Sequence, residues 1–240
     1  MTTIDQEKKE KQKKYSTRTN AKKGYYAEDG KRVVGVTTVL NNVSKNGLIH
    51  WAWELGIDGV DYNAYRDEMA DIGKLSHKFC LEPFVDPDEF EKPVLSDYSP
   101  FVIKMAKSGL RSWRKWIKQN PTFTTLFAER GLVSEQYRFG GRPDWYGTID
   151  RTPGKHTRII LDLKFQPKVY EESFFQTAAY AQLCVENGFP VDQIVILRMD
   201  RVGAANYDEI VINDWSIYLD CFLSLLNFHE MRKLSRKQNA

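Results

Sequence analysis

Thiol chemistry is the first thing this sequence is short of. Its three cysteines, Cys80, Cys184 and Cys221, stand far apart with no C-x-x-C spacing. That excludes a disulfide framework, and it excludes a zinc or iron–sulfur centre built from thiolates alone. Each cysteine has apolar neighbours, so a buried, inert thiol is expected. Long hydrophobic runs are missing too: none approaches the roughly 18 residues that a bilayer span needs. The segment from Met1 to Glu10 is polar and has no apolar h-region, so it does not read as a secretory signal. No membrane anchor is expected, and a cytoplasmic location is. There is no internal repeat. Wholesale disorder is excluded by 42% hydrophobic and 13% aromatic residues.

At 240 residues the chain is long enough for one substantial domain and short for two. Its charge is unevenly placed. Residues 1–23 hold eight Lys or Arg against three acids, a net +5 inside a chain whose total is +3. The reading is a disordered basic arm over 1–23 and a single domain over 24–240. Such an arm is either a solvated tail or a cationic segment that gains affinity for phosphates by counterion release, and the two are compatible.

The middle and end of the chain alternate between two periodicities. Gly24 to Lys31 reads as a turn or short hairpin entering Arg32-Val-Val-Gly-Val36. Helices are expected from about Gly47 to Leu55, from Asp61 to about Glu82 before Pro83, and from Phe101 to Lys118 before Pro121. Strands follow over Phe127–Glu135, Tyr137–Ile149 and Arg158–Phe165, the last two joined by a turn at Thr152-Pro-Gly-Lys155. Glu171 to Asn187 is again helical. Ile194–Met199 and Tyr207–Ile212 form a second strand pair around Gly203, and Asn213 caps a long terminal helix. Trp113 and Trp116 carry Arg114-Lys115 between them, and His50, Trp51 and Trp53 cluster earlier. Both groups could stack on unpaired bases, but helical spacing favours the core for Trp113 and Trp116.

One strand carries charge where apolar residues dominate. Asp162 and Lys164 are two apart in Ile159-Ile-Leu-Asp-Leu-Lys164, so both project from one face. In a strand this aliphatic, unpaired charges are costly. Centring the hairpin near residues 153–154 places Asp162 opposite about 145–146, with Asp144 within one or two residues. Asp150 is the competing partner, but it falls nearer the turn, and Asp144 is preferred. Two carboxylates close together in a desolvated cleft repel unless a cation lies between them. Oxygen ligands of this kind suit Mg²⁺ or Mn²⁺.

These residues form a pattern. Gly141-Arg-Pro-Asp144 followed by Leu161-Asp-Leu-Lys164 resembles the signature of the PD-(D/E)xK nuclease superfamily, in its RecB-like and phage-type exonuclease branch. Ile72-Gly-Lys-Leu-Ser-His77 is similar to that branch's early G-x-x-x-H helix motif, and Gln176-Thr-Ala-Ala-Tyr180 to its Q-x-x-x-Y helix. Val36-Thr-Thr-Val-Leu40 with Leu48-Ile-His-Trp-Ala52 resembles the leading segment of phage-type members. Each motif is weak alone; together they span about residues 33–200 in the expected order.

The resemblance implies an α/β fold, a restriction-endonuclease-like core with a central mixed sheet flanked by helices. Asp144 and Asp162 would be metal ligands, with the Leu163 carbonyl a third, His77 an imidazole ligand and Glu135 a further carboxylate. Lys164 would be the catalytic lysine, and Gln176 and Tyr180, four apart on one helical face, would support the site or contact substrate phosphate. One or two Mg²⁺ or Mn²⁺ ions would serve hydrolysis of DNA in recombination, repair or genome processing, in the host cytoplasm for a phage-encoded chain. Some relatives carry an iron–sulfur cluster on four cysteines; this chain has three in other places, and none is expected. The partners implied are DNA and a recombination or single-strand-annealing protein, and oligomers are known in the branch. A structure- or site-specific endonuclease of the same fold is the first rival, and a non-catalytic binding module the second.

Overall fold

The structure, a computed structural model, describes residues 24–43, 46–152, 154–200 and 206–238. The expected basic arm over 1–23 and the turn at Gly203 lie outside the described residues. A short hairpin, β1 (Tyr25–Tyr26) and β2 (Arg32–Gly35), leads into α1 (Val36–Leu40). Three helices follow: α2 (Asn46–Ile57), α3 (Tyr62–Leu81) and α4 (Pro100–Gln119). The Asp61 carboxylate starts α3 by accepting from the Ala64 N–H at 2.9 Å, and Ser99 starts α4 by accepting from the Val102 N–H at 3.2 Å. Pro100 sits at the first turn of α4, where its missing N–H is no loss.

The expected strand over 127–135 is two strands in different sheets: β3 (Thr124–Ala128) and β4 (Leu132–Ser134). Glu129 breaks it, adopting a left-handed backbone with φ of 50°. The expected strand over 137–149 also divides, into β5 (Phe139–Gly141) and β6 (Trp145–Thr152), because Pro143 between them cannot donate to a ladder. The chain continues through β7 (Lys155–Lys164), α5 (Glu171–Glu186), β8 (Gln193–Met199), β9 (Tyr207–Ile212) and α6 (Ser216–Gln238). Asn213 does not cap α6. Its side-chain oxygen accepts from the Gln193 amide, and Asp214 instead accepts from the Ser216 N–H and hydroxyl.

The strands form a five-stranded sheet in the order β3-β6-β7-β8-β9 and a smaller one in the order β1-β2-β5-β4. In the large sheet β7 and β8 run parallel and the other pairs antiparallel, so α5 is the crossover between the parallel pair. This is a mixed central sheet flanked by helices, as expected. Its two faces bury different residues. Ile159, Leu161 and Leu163 of β7 pack with Trp113, Trp116, Trp145 and Leu197 on the α4 side. Ile160 packs with Tyr146, Ala178, Ala179 and Ile194 on the α5 side. Trp113 and Trp116 are therefore core residues, 2% and 0% exposed and stacked on each other. Asp162 and Lys164 share the face of Ile160 and so look toward α5.

Gly147 lets β3 and β6 close. A Cβ there would lie 2.1 Å from the Thr124 carbonyl oxygen and 2.5 Å from the Trp145 ring, beside the register shift between Thr125 and Phe127. Backbone cannot yield as a flexible side chain would. Gly147→Ala should therefore lower the unfolding free energy by about 2–3 kcal/mol in urea denaturation, and an unchanged midpoint would contradict this packing.

Candidate functional site

The β6–β7 hairpin sets the site's register. Trp145 pairs with Leu161, and Asp150 with His156. One rung beyond Trp145, Asp144 stands opposite Asp162, slightly closer in register than expected. Asp150 is far down the hairpin, with His156 Nδ1 2.6 Å from its carboxylate. Asp144, then, is the carboxylate facing the Asp162 rung. It extends the ladder with its side chain: the Leu163 N–H donates to Asp144 Oδ2 at 2.7 Å.

Helix α3 brings His77 to the same place. Its Nε2 lies 2.9 Å from the Leu163 carbonyl oxygen. A carbonyl only accepts, so Nε2 carries the proton, and Nδ1 of the neutral ring presents a lone pair. That Nδ1 is 3.7 Å from Asp144 Oδ2. Two electron-rich atoms facing one another at this distance are favourable with a cation between them. Edge-on packing against Phe165 holds the ring plane. The Leu163 carbonyl, expected as a ligand, is engaged by His77.

A third residue that could hold a metal comes from an unexpected position. Ligand atoms of His77, Glu129 and Asp144 all lie within 4.8 Å of one another. Around one ion with bonds of about 2.1 Å, adjacent ligands sit on the order of 3 Å apart and opposite ones about 4.2 Å; the 3.7 Å between His77 Nδ1 and Asp144 Oδ2 falls in that range, and a small closure would bring Glu129 into it. Glu129 follows directly on β3, whose Ala128 pairs with Trp145, and its N–H donates to the Asp144 carbonyl at 3.1 Å. Glu135, the acid expected from the sequence, is not brought to the cluster. Its carboxylate accepts from the Glu28 N–H at 3.0 Å and lies 3.6 Å from Arg138. The signal that could have found Glu129 is the β3–β6 pairing, which carries the residue after Ala128 to the residue before Trp145.

Asp162 lies outside this trio, fully buried. Its Oδ2 contacts the Lys164 ammonium, and Oδ1 has no hydrogen-bond partner among the described residues. Lys164 Nζ also donates to Gln176 Oε1 at 3.1 Å, and Gln176 Nε2 donates to the Tyr180 hydroxyl at 3.0 Å. Asp162, Lys164, Gln176 and Tyr180 thus form one polar chain between β7 and α5. Gly141 makes room for it, since a Cβ there would be 2.7 Å from the Tyr180 ring.

Burial pushes the Asp162 carboxyl up to about 7, against the lowering effect of Lys164, and Asp144 raises it further. Burial also raises Glu129, as does Asp144, while Arg142 opposes both. Arg142 Nη1 is 4.0 Å from Glu129, a loose approach, and its buried Nε has no partner among the described residues. Beside the trio opens a cleft of about 470 Å³, lined by Gly73, Lys74, His77, Lys78, Glu129 and Arg142 among others. The donor set of one imidazole and carboxylates, with an orphaned buried carboxylate oxygen next to it, fits a divalent cation of the Mg²⁺ or Mn²⁺ kind. His50 and Trp53 of α2 contact each other, Trp53 is exposed, and Trp51 packs edge-on against Tyr62 and Tyr65.

Because the native carboxyl of Asp162 holds its proton more tightly than the unfolded one, it stabilises the metal-free fold fully below about pH 4. That contribution is lost as pH rises through about 7. Urea titrations of metal-free protein from pH 4 to 8 should show stability declining across this window, and the Asp162→Asn variant should lose that part of the decline. Equal slopes in both proteins would refute the assignment.

No family model matches the sequence, and neither does any curated protein. Among solved structures, a protein designated an exonuclease from Eubacterium rectale is similar at 11% identity and a TM-score of 0.36, over 82% of this chain and 69% of its own. An alkaline exonuclease from Laribacter hongkongensis is similar at 14% identity and a TM-score of 0.32, over 71% of this chain and 90% of its own. At such TM-scores neither likeness bears on function; the site's own geometry does.

Proposed function

We propose that this chain is a metal-dependent nuclease of the PD-(D/E)xK superfamily, RecB-like and of phage-exonuclease type, that hydrolyses phosphodiester bonds in DNA. The observation that carries this reading is the buried carboxylate of Asp162, with an unpartnered oxygen, set beside Lys164 and opposite the His77–Glu129–Asp144 cluster. In a fully buried carboxylate an oxygen left without a donor is costly, and this one lies beside a group of residues that could hold a cation.

His77, Glu129 and Asp144 would hold one Mg²⁺ or Mn²⁺ ion, with Asp162 alongside for it or for a second. When bound, the metal supplies Lewis acidity toward a phosphate oxygen and an acidified water. Lys164 is held between Asp162 and Gln176. There its ammonium can orient the attacking water and offset the charge that develops on the phosphate. Gln176, itself fixed by Tyr180, keeps that ammonium from swinging away. Arg142 lines the cleft beside Glu129, where its positive charge would attract a phosphate.

Cleavage of end-labelled linear and covalently closed circular DNA with Mg²⁺ or Mn²⁺ tests the reading. Linear DNA should be degraded and circular DNA spared; cutting of the circle would identify an endonuclease of the same fold instead. Asp162→Asn and Lys164→Ala should each lower kcat by more than about 100-fold while the circular dichroism melt persists. Wild-type rates in both would refute the assignment. In calorimetry, Glu129→Gln should weaken Mn²⁺ binding by at least about 10-fold, and Glu135→Gln should leave it unchanged. The reverse result would restore Glu135 as the ligand.

A further inference from the structure

The last three turns of α6 carry a second charged surface that shares no residue with the cleft. Arg232, Lys233, Arg236 and Lys237 recur at one- and four-residue spacing, so they line one side of the helix. With His229 and Asn42 they line a concavity of about 380 Å³ in which no acid takes part among the described residues. Glu230, the acid in this stretch, lies 3.6 Å from Lys233. Neutralising the helix dipole accounts for Arg236 and Lys237 in the last turn but not for Arg232 and Lys233 further in, where the dipole's effect has faded.

The concavity is organised rather than accidental. Asn42, just beyond α1, is bonded on every side. Its amide donates to the Val39 carbonyl at 2.8 Å and to His229 Nδ1 at 3.1 Å, and its oxygen accepts from Arg232 Nη1 at 3.2 Å. One guanidinium nitrogen of the exposed Arg232 is thereby anchored to the fold. Met231 is exposed on the opposite side of the helix, and Phe228 and Leu234 are exposed at the flanks of the cationic face.

We infer that this face binds phosphates of the DNA backbone as an anchoring surface separate from the catalytic cleft, an inference that rests on the nuclease reading for its choice of DNA. The ligand chemistry is a row of monoanionic phosphodiesters. Spaced cations at i and i+4 meet such a row without reading sequence. An acidic protein segment or an anionic membrane would use the same charges, and the test separates them.

The experiment measures binding of a fluorescent duplex oligonucleotide to full-length Asp162→Asn protein in EDTA, over a range of NaCl concentrations. The same protein carrying Arg232→Glu and Arg236→Glu should bind at least 10-fold more weakly at low salt, and the slope of log K against log[salt] should fall by about 2. The substituted side chains are exposed, and the milder Lys233→Gln/Lys237→Gln pair should shift binding in the same direction with an unchanged melt. Unchanged affinity and slope in both variants would overturn the inference. So would loss of binding to polyglutamate or to vesicles rich in phosphatidylserine while duplex binding persists. Should wild-type protein fail to cleave DNA yet show the salt-slope difference, the surface stands and the nuclease reading falls. Cleavage with no slope difference gives the converse.

Discussion

A carboxylate in the middle of a sheet governs this molecule. Asp162 sits on β7, the central strand of five, with its side chain fully buried and one oxygen beyond the reach of any donor among the described residues. Leaving a buried polar atom unsatisfied costs about 1–3 kcal/mol, and more when it is charged. The neighbouring residues do not remove that cost. Lys164 neutralises one oxygen, Asp144 adds a second negative charge, and burial keeps the proton on Asp162 at pH values where a solvated aspartate has lost it. The rest of the core is what tolerates the expense. The alternate residues of β7, Ile159, Leu161 and Leu163, are all fully buried against the tryptophan layer on the α4 side.

Two neighbouring features carry related strain. Glu129 holds a left-handed backbone, uncommon for a residue with a Cβ. That same kink ends β3 and sends the chain into the other sheet. Glu129 still adds one bond to the β3–β6 pairing, its N–H donating to the Asp144 carbonyl, before the chain leaves the strand. Strand β6 stops at a comparable point: its ladder gives way to the Asp144 side chain, which takes the Leu163 N–H. Strands β3 and β6, on one side of β7, both end at the level where these residues gather, so the cluster lies at the end of the sheet in the strand direction, beside the cleft. Strain and unsatisfied charge concentrated at one place mark a site kept for binding rather than for stability.

What could be read from the sequence followed from periodicity and pairing. The two-residue spacing of Asp162 and Lys164 places both on one face. The Pro-Gly turn nearly fixed the register that brings Asp144 across, and the four-residue spacing of Gln176 and Tyr180 aligned them on α5. His77 was legible only through its motif, since nothing in local chemistry says that the end of α3 crosses to the Leu163 carbonyl. Glu129 was legible only through the β3–β6 pairing, which the sequence alone does not announce. Its position depends on a backbone reversal inside an apparent strand, and Arg130 and Gly131 look no more like a break than many tolerated residues. Glu135 lies beyond the same break, in the smaller sheet's turn, where its carboxylate meets Glu28 and Arg138. The split between the two sheets was invisible because β3, β4 and β5 are short and their partners are set by tertiary contacts.

Charge also divides the way DNA would be held. From residue 24 onward the chain sums to −2, so attraction for a polyanion must be local. The cleft does not supply it alone. Lys74, Lys78 and Arg142 line it, but so do Glu89, Glu91 and Glu129, and Lys74 is 2.9 Å from Asp71. With its charges nearly balanced, the cleft would favour a phosphate only when a divalent cation occupies the neighbouring cluster, which ties substrate engagement there to the metal. The face on α6 is different, because no acid lines it. Its attraction would be metal-independent, long-ranged and steeply salt-sensitive, whereas the cleft's would be short-ranged and conditional. A protein built this way can meet DNA without cutting it, because the groups that attract the backbone are not those that complete the reaction.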